Sequence, residues 1–364
     1  MRAAAIAAGG AQVVAAATGR AGLRTLLDPR ASFTHVLLNP ARDDGLLPAF
    51  LSMTCEESAS HTELLVMGRA AAAPAHACVI ASRSMPGLMR ALSLGCAGMN
   101  ARHRARPTLR ELQQALAHRR VETRYQPLVS IMDRTVYGQE VLARLHRGRR
   151  GVLGPDHFVP HMEAAGLAGE LTELVAGRSF ADAAAPHLAP TAPRMALNVP
   201  LDVMLLPDTL ARLDELRDGV GLDASRVTIE LTESRVVGDV PLLRRAVGRM
   251  REAGYGVSLD DVSPEMPGHD ALLDLPFTST KIDQAVVRRG ASCPDAASFI
   301  RRVVDGARAR GLLVIAEGVH DAPTWQRVRR AGVDVAQGFV VAPPLPAAAL
   351  PVWAELWRER TDLN

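Results

Sequence analysis

Eight polar residues stand where a chain built only for packing would place apolar ones. Glu140, Asn198, Glu230, Asp260, Asp261, Lys281, Glu317 and Gln337 each fall inside or at the end of an apolar run, the Asp pair sharing one. Five of the eight are carboxylates, and five carboxylates in one place repel unless cations neutralise them. Asp, Glu and an Asn carbonyl form an all-oxygen donor set, which suits Mg²⁺ or Mn²⁺ over zinc. Two such ions bridged by a shared aspartate make a clamp for phosphodiester hydrolysis, activating water and stabilising the leaving oxygen. Asp260 is the natural bridge, since its neighbour Asp261 reaches only one side. Lys281 would orient the water or neutralise a phosphoryl oxygen.

That chemistry requires the runs to converge. From Tyr125 onward apolar strand candidates appear at "RYQPLVSI", "VYGQEVLARL", "RMALNVP", "VTIELTE", "GVSLDDV", "STKID", "LLVIAEGV" and "VAQGFVV". Helical stretches such as "PLLRRAVGRMREAG" and "ASFIRRVVDGARARG" separate most of them. Eight strands joined mostly by helices predict an α/β protein with a C-terminal (β/α)8 TIM-like barrel over residues 122–364. The C-terminal ends of barrel strands meet at one mouth, where active sites are built. One polar residue in a strand has a plain explanation as a cap or a buried hydrogen bond. Seven strands of eight carrying one points to a site.

Residues 1–105 alternate short apolar runs with helical stretches, the pattern of a smaller α/β domain with a parallel sheet. The stretch from "SMPGLMRALSLGCAGMN" onward resembles the last third of a response-regulator receiver. The acids a receiver needs are missing: the first strand ends in Ala8-Gly9-Gly10, and Asn39 stands at the acceptor position. A degenerate, receiver-like domain serving as a docking device for a protein partner is the expectation. Residues 106–121 read as a linker helix, with Leu109, Leu112 and Leu116 at helical spacing.

Composition narrows the class. At 364 residues and 48% hydrophobic, the chain suits one large domain plus a smaller one. A net charge of +3 comes from dispersed arginine and not from a basic run, which argues against DNA or RNA. Cys55, Cys78, Cys96 and Cys293 lack metal-ligand or disulfide-framework spacing and read as reduced thiols of a cytoplasmic protein. No stretch is long and apolar enough to predict a membrane span. Among 42 basic residues there is a single lysine, Lys281. A lone ammonium in an arginine-rich chain suggests a place that wants a compact point charge.

Residues from about 120 to 358 resemble the EAL-domain phosphodiesterases that cleave cyclic di-GMP. The motifs appear in order as "YQPL", "EVLAR" (140–144), "LNVP", "ELTES", "LDD", "KID", "AEGV" and "QGF" followed by "PLP". The resemblance implies that Glu140, Asn198, Glu230, Asp260, Asp261 and Glu317 bind two Mg²⁺ or Mn²⁺ ions. It implies further that Lys281, Glu317 and Gln337 serve catalysis. Arg144 would hold a phosphate, Gln126 and Gln337 would touch substrate, and the protein would work as a homodimer.

Two departures from the family pattern bear on activity. The Asp pair is followed by "VSPEMPG" in place of a Phe-Gly-Thr-Gly type loop, putting Pro264 where a glycine turn is usual. Glu233, the usual anchor of that loop, is retained. His320 replaces a glutamate close to the metals, and a neutral imidazole supplies no negative charge. The expectation is hydrolysis of cyclic di-GMP to linear pGpG, slow or partner-regulated. The alternative is a cyclic di-GMP receptor that turns over little and acts through protein contacts.

Overall fold

The computed structural model describes residues 16, 18–27, 35–38, 63–67, 78–80, 106–147, 152–232, 240–266, 268–361 and 363. The chain divides into two compact units. One comprises Met1–Glu122, Ala143–His161 and Leu345–Leu356, the other Thr123–Leu142, Met162–Pro344 and Trp357–Asn364.

In the first unit, β1 (His35–Leu38), β2 (Glu63–Met67) and β3 (Cys78–Ile80) form a parallel sheet in that order, on the short apolar runs HVLL, ELLVM and CVI. The stretch "SMPGLMRALSLGCAGMN", with Ala8-Gly9-Gly10 and Asn39, lies outside the described residues. A helix, Leu109–Ala117, occupies the linker. Thr108 caps it by accepting from the Glu111 backbone N–H at 3.3 Å.

The remaining strands close an eight-stranded barrel. They are β4 (Val121–Ser130), β5 (Val136–His146), β7 (Met195–Pro200), β8 (Val227–Thr232), β9 (Gly256–Val262), β10 (Ser279–Ile282), β11 (Leu313–Ala316) and β12 (Val335–Gln337). All eight lie on the expected runs. A two-residue edge strand, β6 (Val152–Leu153), pairs antiparallel with the end of β5.

One feature departs from a regular (β/α)8 barrel. β4 runs antiparallel to β12, and a short turn leads from it into β5, closed by the Ser130 carbonyl accepting from Arg134 N–H and by Ser130 N–H donating to Thr135. A parallel crossover needs a dozen or more residues, and only five separate these strands. A hairpin is the only connection that fits.

Helix faces explain the outer layer. In Pro294–Arg308 the buried residues are Ala296, Phe299, Ile300, Val303, Val304 and Ala307, one stripe of a helix. Inside the barrel, Leu128, Ile315 and Val335 pack with Tyr137. Strand alternation places Ile315 two residues below Glu317 and Val335 two below Gln337, so an apolar layer floors a polar one.

Gly338 sets the spacing at the mouth. Its φ is 148°, and an added Cβ would lie 2.4 Å from Val319 backbone atoms. Only glycine lets the chain after β12 lie on the loop after β11, where Val319 N–H donates to Gln337 and Val340 N–H to Val319.

Candidate metal centre at the barrel mouth

Lys281 sits at the centre of the polar layer, fully buried on β10. Its Nζ lies 2.6 Å from Glu317 Oε1, 3.1 Å from Glu230 Oε2, 3.2 Å from Asp260 Oδ1 and 3.5 Å from Glu140 Oε2. Strands β5, β8, β9 and the loop after β11 thus send four carboxylates to one ammonium. A compact charge at the end of a flexible stem suits that crowded place better than a planar guanidinium fork.

Glu140 is held from further sides. Asn198 Nδ2 donates to its Oε1 at 2.8 Å, and Gln337 Nε2 to its Oε2 at 2.5 Å. The same Gln337 nitrogen donates to Gln126 Oε1 at 3.0 Å, while Gln126 Nε2 donates to the Ala342 carbonyl at 3.2 Å. A chain of amides therefore ties the backbone beyond β12 to the Glu140 carboxylate. Groups that orient a metal ligand commonly matter 10–100-fold. Gln337→Ala is expected to weaken Mn²⁺ binding by roughly tenfold, and Gln126→Ala by less; calorimetric titration with Mn²⁺ checks both.

Asp261 adopts the left-handed conformation, φ 54°, although it carries a side chain. Such a residue costs on the order of 1–2 kcal/mol. At this bend the backbone N–H of Asp261 donates to Asp260 Oδ1 at 2.9 Å. Asp260, Asp261 and Glu317 each bring one oxygen within 4.8 Å of the others.

The electrostatics are those of a site short of positive charge. Burial pushes Glu230 well above the usual carboxylate range; Lys281 opposes this, and Glu140, Asp260 and Glu317 add to it. Burial likewise raises Asp260 against the pull of Lys281. Glu317 is pushed up to about 8, by burial and by Asp260 and Glu140, with Lys281 again opposing. Burial acts on Glu140 too, yet Lys281, Gln337 and Asn198 hold it below its ordinary value. The four carboxylates keep Lys281 charged despite its burial.

The donors fit a hard divalent cation. They are oxygens throughout, and Glu230 Oε1 is buried without a hydrogen-bond partner. A buried polar atom in that state lacks a ligand. Five carboxylates against one ammonium leave enough negative charge for two divalent ions.

Other expected residues lie differently. Arg144 is buried four residues beyond Glu140 on β5, its guanidinium donating to the Ala143 carbonyl at 3.0 Å. His320 is exposed and outside the carboxylate cluster. Its Nδ1 lies 3.1 Å from the Gly318 carbonyl and its Nε2 3.4 Å from Asp321. Asp321, which motif reading passed over, caps the helix Ala322–Arg330 by accepting from Thr324 N–H at 2.7 Å. An Asp before Ala-Pro-Thr is the sequence mark of such a cap. Glu233 lies outside the described residues.

Pro264 proves compatible with the loop after the Asp pair. It occupies the second position of a turn closed by Met266 N–H donating to Ser263 at 3.0 Å, where proline is favoured. Met266 is buried, and Glu265 pairs with Arg289 at 3.4 Å.

Known proteins share this architecture. The EAL domain family model matches residues 109–344. "Cyclic di-GMP phosphodiesterase PA2567" of Pseudomonas aeruginosa is 30% identical over 261 residues, 71% of this chain and 44% of that protein. "Cyclic di-GMP phosphodiesterase NbdA" of the same organism is 27% identical, over 68% of this chain and 32% of that protein. The chain therefore spans less than half the length of these relatives. Among solved structures, the PaMucR phosphodiesterase in complex with c-di-GMP superposes with a TM-score of 0.62 at 26% identity. That match covers 66% of this chain and 98% of that one. The barrel with its first strand reversed, the acidic mouth around one lysine and the matched span agree: this chain belongs to the EAL domain family.

Proposed function

We propose that this chain is a metal-dependent phosphodiesterase that hydrolyses cyclic di-GMP to linear pGpG. The observation carrying this reading is the convergence of Glu140, Glu230, Asp260 and Glu317 on Lys281, with Asn198 and Asp261 beside them, in a barrel of the EAL family. Those six residues would hold two ions, Mg²⁺ or Mn²⁺. When bound, the ions supply Lewis-acid polarisation of a phosphoryl oxygen and a more acidic water. One water adds to phosphorus, one P–O3′ bond breaks, and the 3′ oxygen leaves as a hydroxyl after taking up a proton. Lys281 contributes a fixed positive charge beside the reacting phosphate, Gln126 and Gln337 orient Glu140, and Arg144 steadies a phosphate. Residues 1–105, 106–121 and 122–364 would be a partner-docking domain, a linker helix and the catalytic barrel of a homodimer. The parallel β1–β3 sheet supports an α/β fold for the first of these and bears on no partner. Among the described residues no helix is long and apolar enough to cross a membrane.

Incubation of the full chain with cyclic di-GMP and Mn²⁺, beside Glu140→Ala, tests the reading. Linear pGpG is expected from the wild type, with at least a hundredfold less from the variant. Nucleotide that binds yet stays intact would make the protein a receptor instead.

A further inference from the structure

We propose that Arg147 is a positioning residue of the site, holding the end of the strand that carries Glu140 and Arg144. This rests on the reading above, in which Arg144 meets a substrate phosphate. Arg147 immediately follows β5, and its side chain is fully buried. Nε donates to Glu111 Oε1 at 2.7 Å and Nη2 to Glu111 Oε2 at 3.1 Å. Such a two-bond pair fixes orientation as well as distance. Glu111 belongs to the first turn of the helix Leu109–Ala117, three residues after its Thr108 cap. A glutamate in a Thr-x-x-Glu box commonly turns back on its own cap; here both carboxylate oxygens accept from Arg147.

A second tie lies beside the first. His146 N–H donates to the Arg120 carbonyl at 2.9 Å. The last two residues of this segment are thus bound to the stretch that leads into the barrel, once by backbone and once by side chain. Along the strand, Arg144 is three residues away, about 10 Å at ~3.3 Å per residue. Pairing of Leu145 with Leu153 and of His146 with Val152 stiffens that span. A shift of the helix would be carried to Arg144 with little loss. The helix is also the first described element after β3. A partner acting on the preceding residues would reach the phosphate contact by this route.

The test uses the full chain with Arg147→Ala, the milder Glu111→Gln, and Arg147→Lys, which keeps the charge and loses the fork. Hydrogen exchange of the amides from Ala143 to His146 reads the strand directly. KM and kcat for cyclic di-GMP in Mn²⁺ read the site. Faster exchange is expected in Arg147→Ala and Glu111→Gln. KM should rise roughly tenfold, kcat should change less than about twofold, and Arg147→Lys should recover only part of the KM. Unchanged exchange, or faster exchange with KM unmoved in an active enzyme, overturns the proposal. A wild type that neither binds nor cleaves cyclic di-GMP would instead sink the functional reading, and exchange alone would then decide the positioning role.

Discussion

Lys281→Met is expected to lower turnover of cyclic di-GMP on the order of 10³-fold, even at saturating Mn²⁺. The substitution keeps much of the stem and removes the charge that lies within 3.5 Å of four carboxylates. Without metal the variant should also be less stable, by roughly 3–5 kcal/mol, because breaking a buried ion pair from one side leaves its partners uncompensated. Mn²⁺ should return most of that stability, since the ions replace the missing charge, while activity stays low. Thermal melts with and without Mn²⁺, beside single-turnover rates, separate the two roles. Full activity in the metal-loaded variant would reduce Lys281 to a structural counter-ion.

The metal-free wild type should lose stability as pH rises from about 4.5 to about 8. Glu317 has its folded pKa near 8 against an ordinary 4.5, and Glu230 and Asp260 are raised as well. Below the ordinary value each carboxyl is protonated in both states, and its stabilising contribution is fully present. Between the two values the unfolded chain is ionised while the folded one keeps its proton. Stability therefore falls with pH through that window and levels off above it. Glu140, shifted down, works in the opposite sense at lower pH. The net loss should be on the order of a few kcal/mol. Urea midpoints in EDTA at about pH 5 and about pH 8 measure it. With Mn²⁺ the trend should reverse, because the metal needs its ligands deprotonated. A flat profile in EDTA would show that the acids are not held as the cluster geometry requires.

All eight barrel strands are legible in the chain as apolar runs, seven of them carrying a site residue inside or at the end of the run. Direction is not contained in such a pattern. β4 reads like the other strands, and only the five residues after Ser130 betray that it runs backwards. β6 is two residues long and gives no pattern at all. The same limit holds at the site. The rarity of lysine marks Lys281, and motif spacing marks its partners. That four carboxylates meet its Nζ depends on barrel closure, which no single segment encodes. His320 sits beside the metal motif in sequence, yet Asp321 starts a helix there and the imidazole points to that helix end. Pro264 reads as an obstacle in one dimension and is a turn residue in three.

A protease that cuts only after lysine finds one scissile bond in all 364 residues, Lys281–Ile282. That bond lies in the barrel wall on β10, between two buried side chains. The folded chain offers such a protease nothing, so every cleaved molecule is one whose barrel has opened. Cleavage into pieces of 281 and 83 residues (364 − 281 = 83) would count openings of the barrel one molecule at a time. The residue that gathers the carboxylates is thereby also a built-in clock for the integrity of the wall around them.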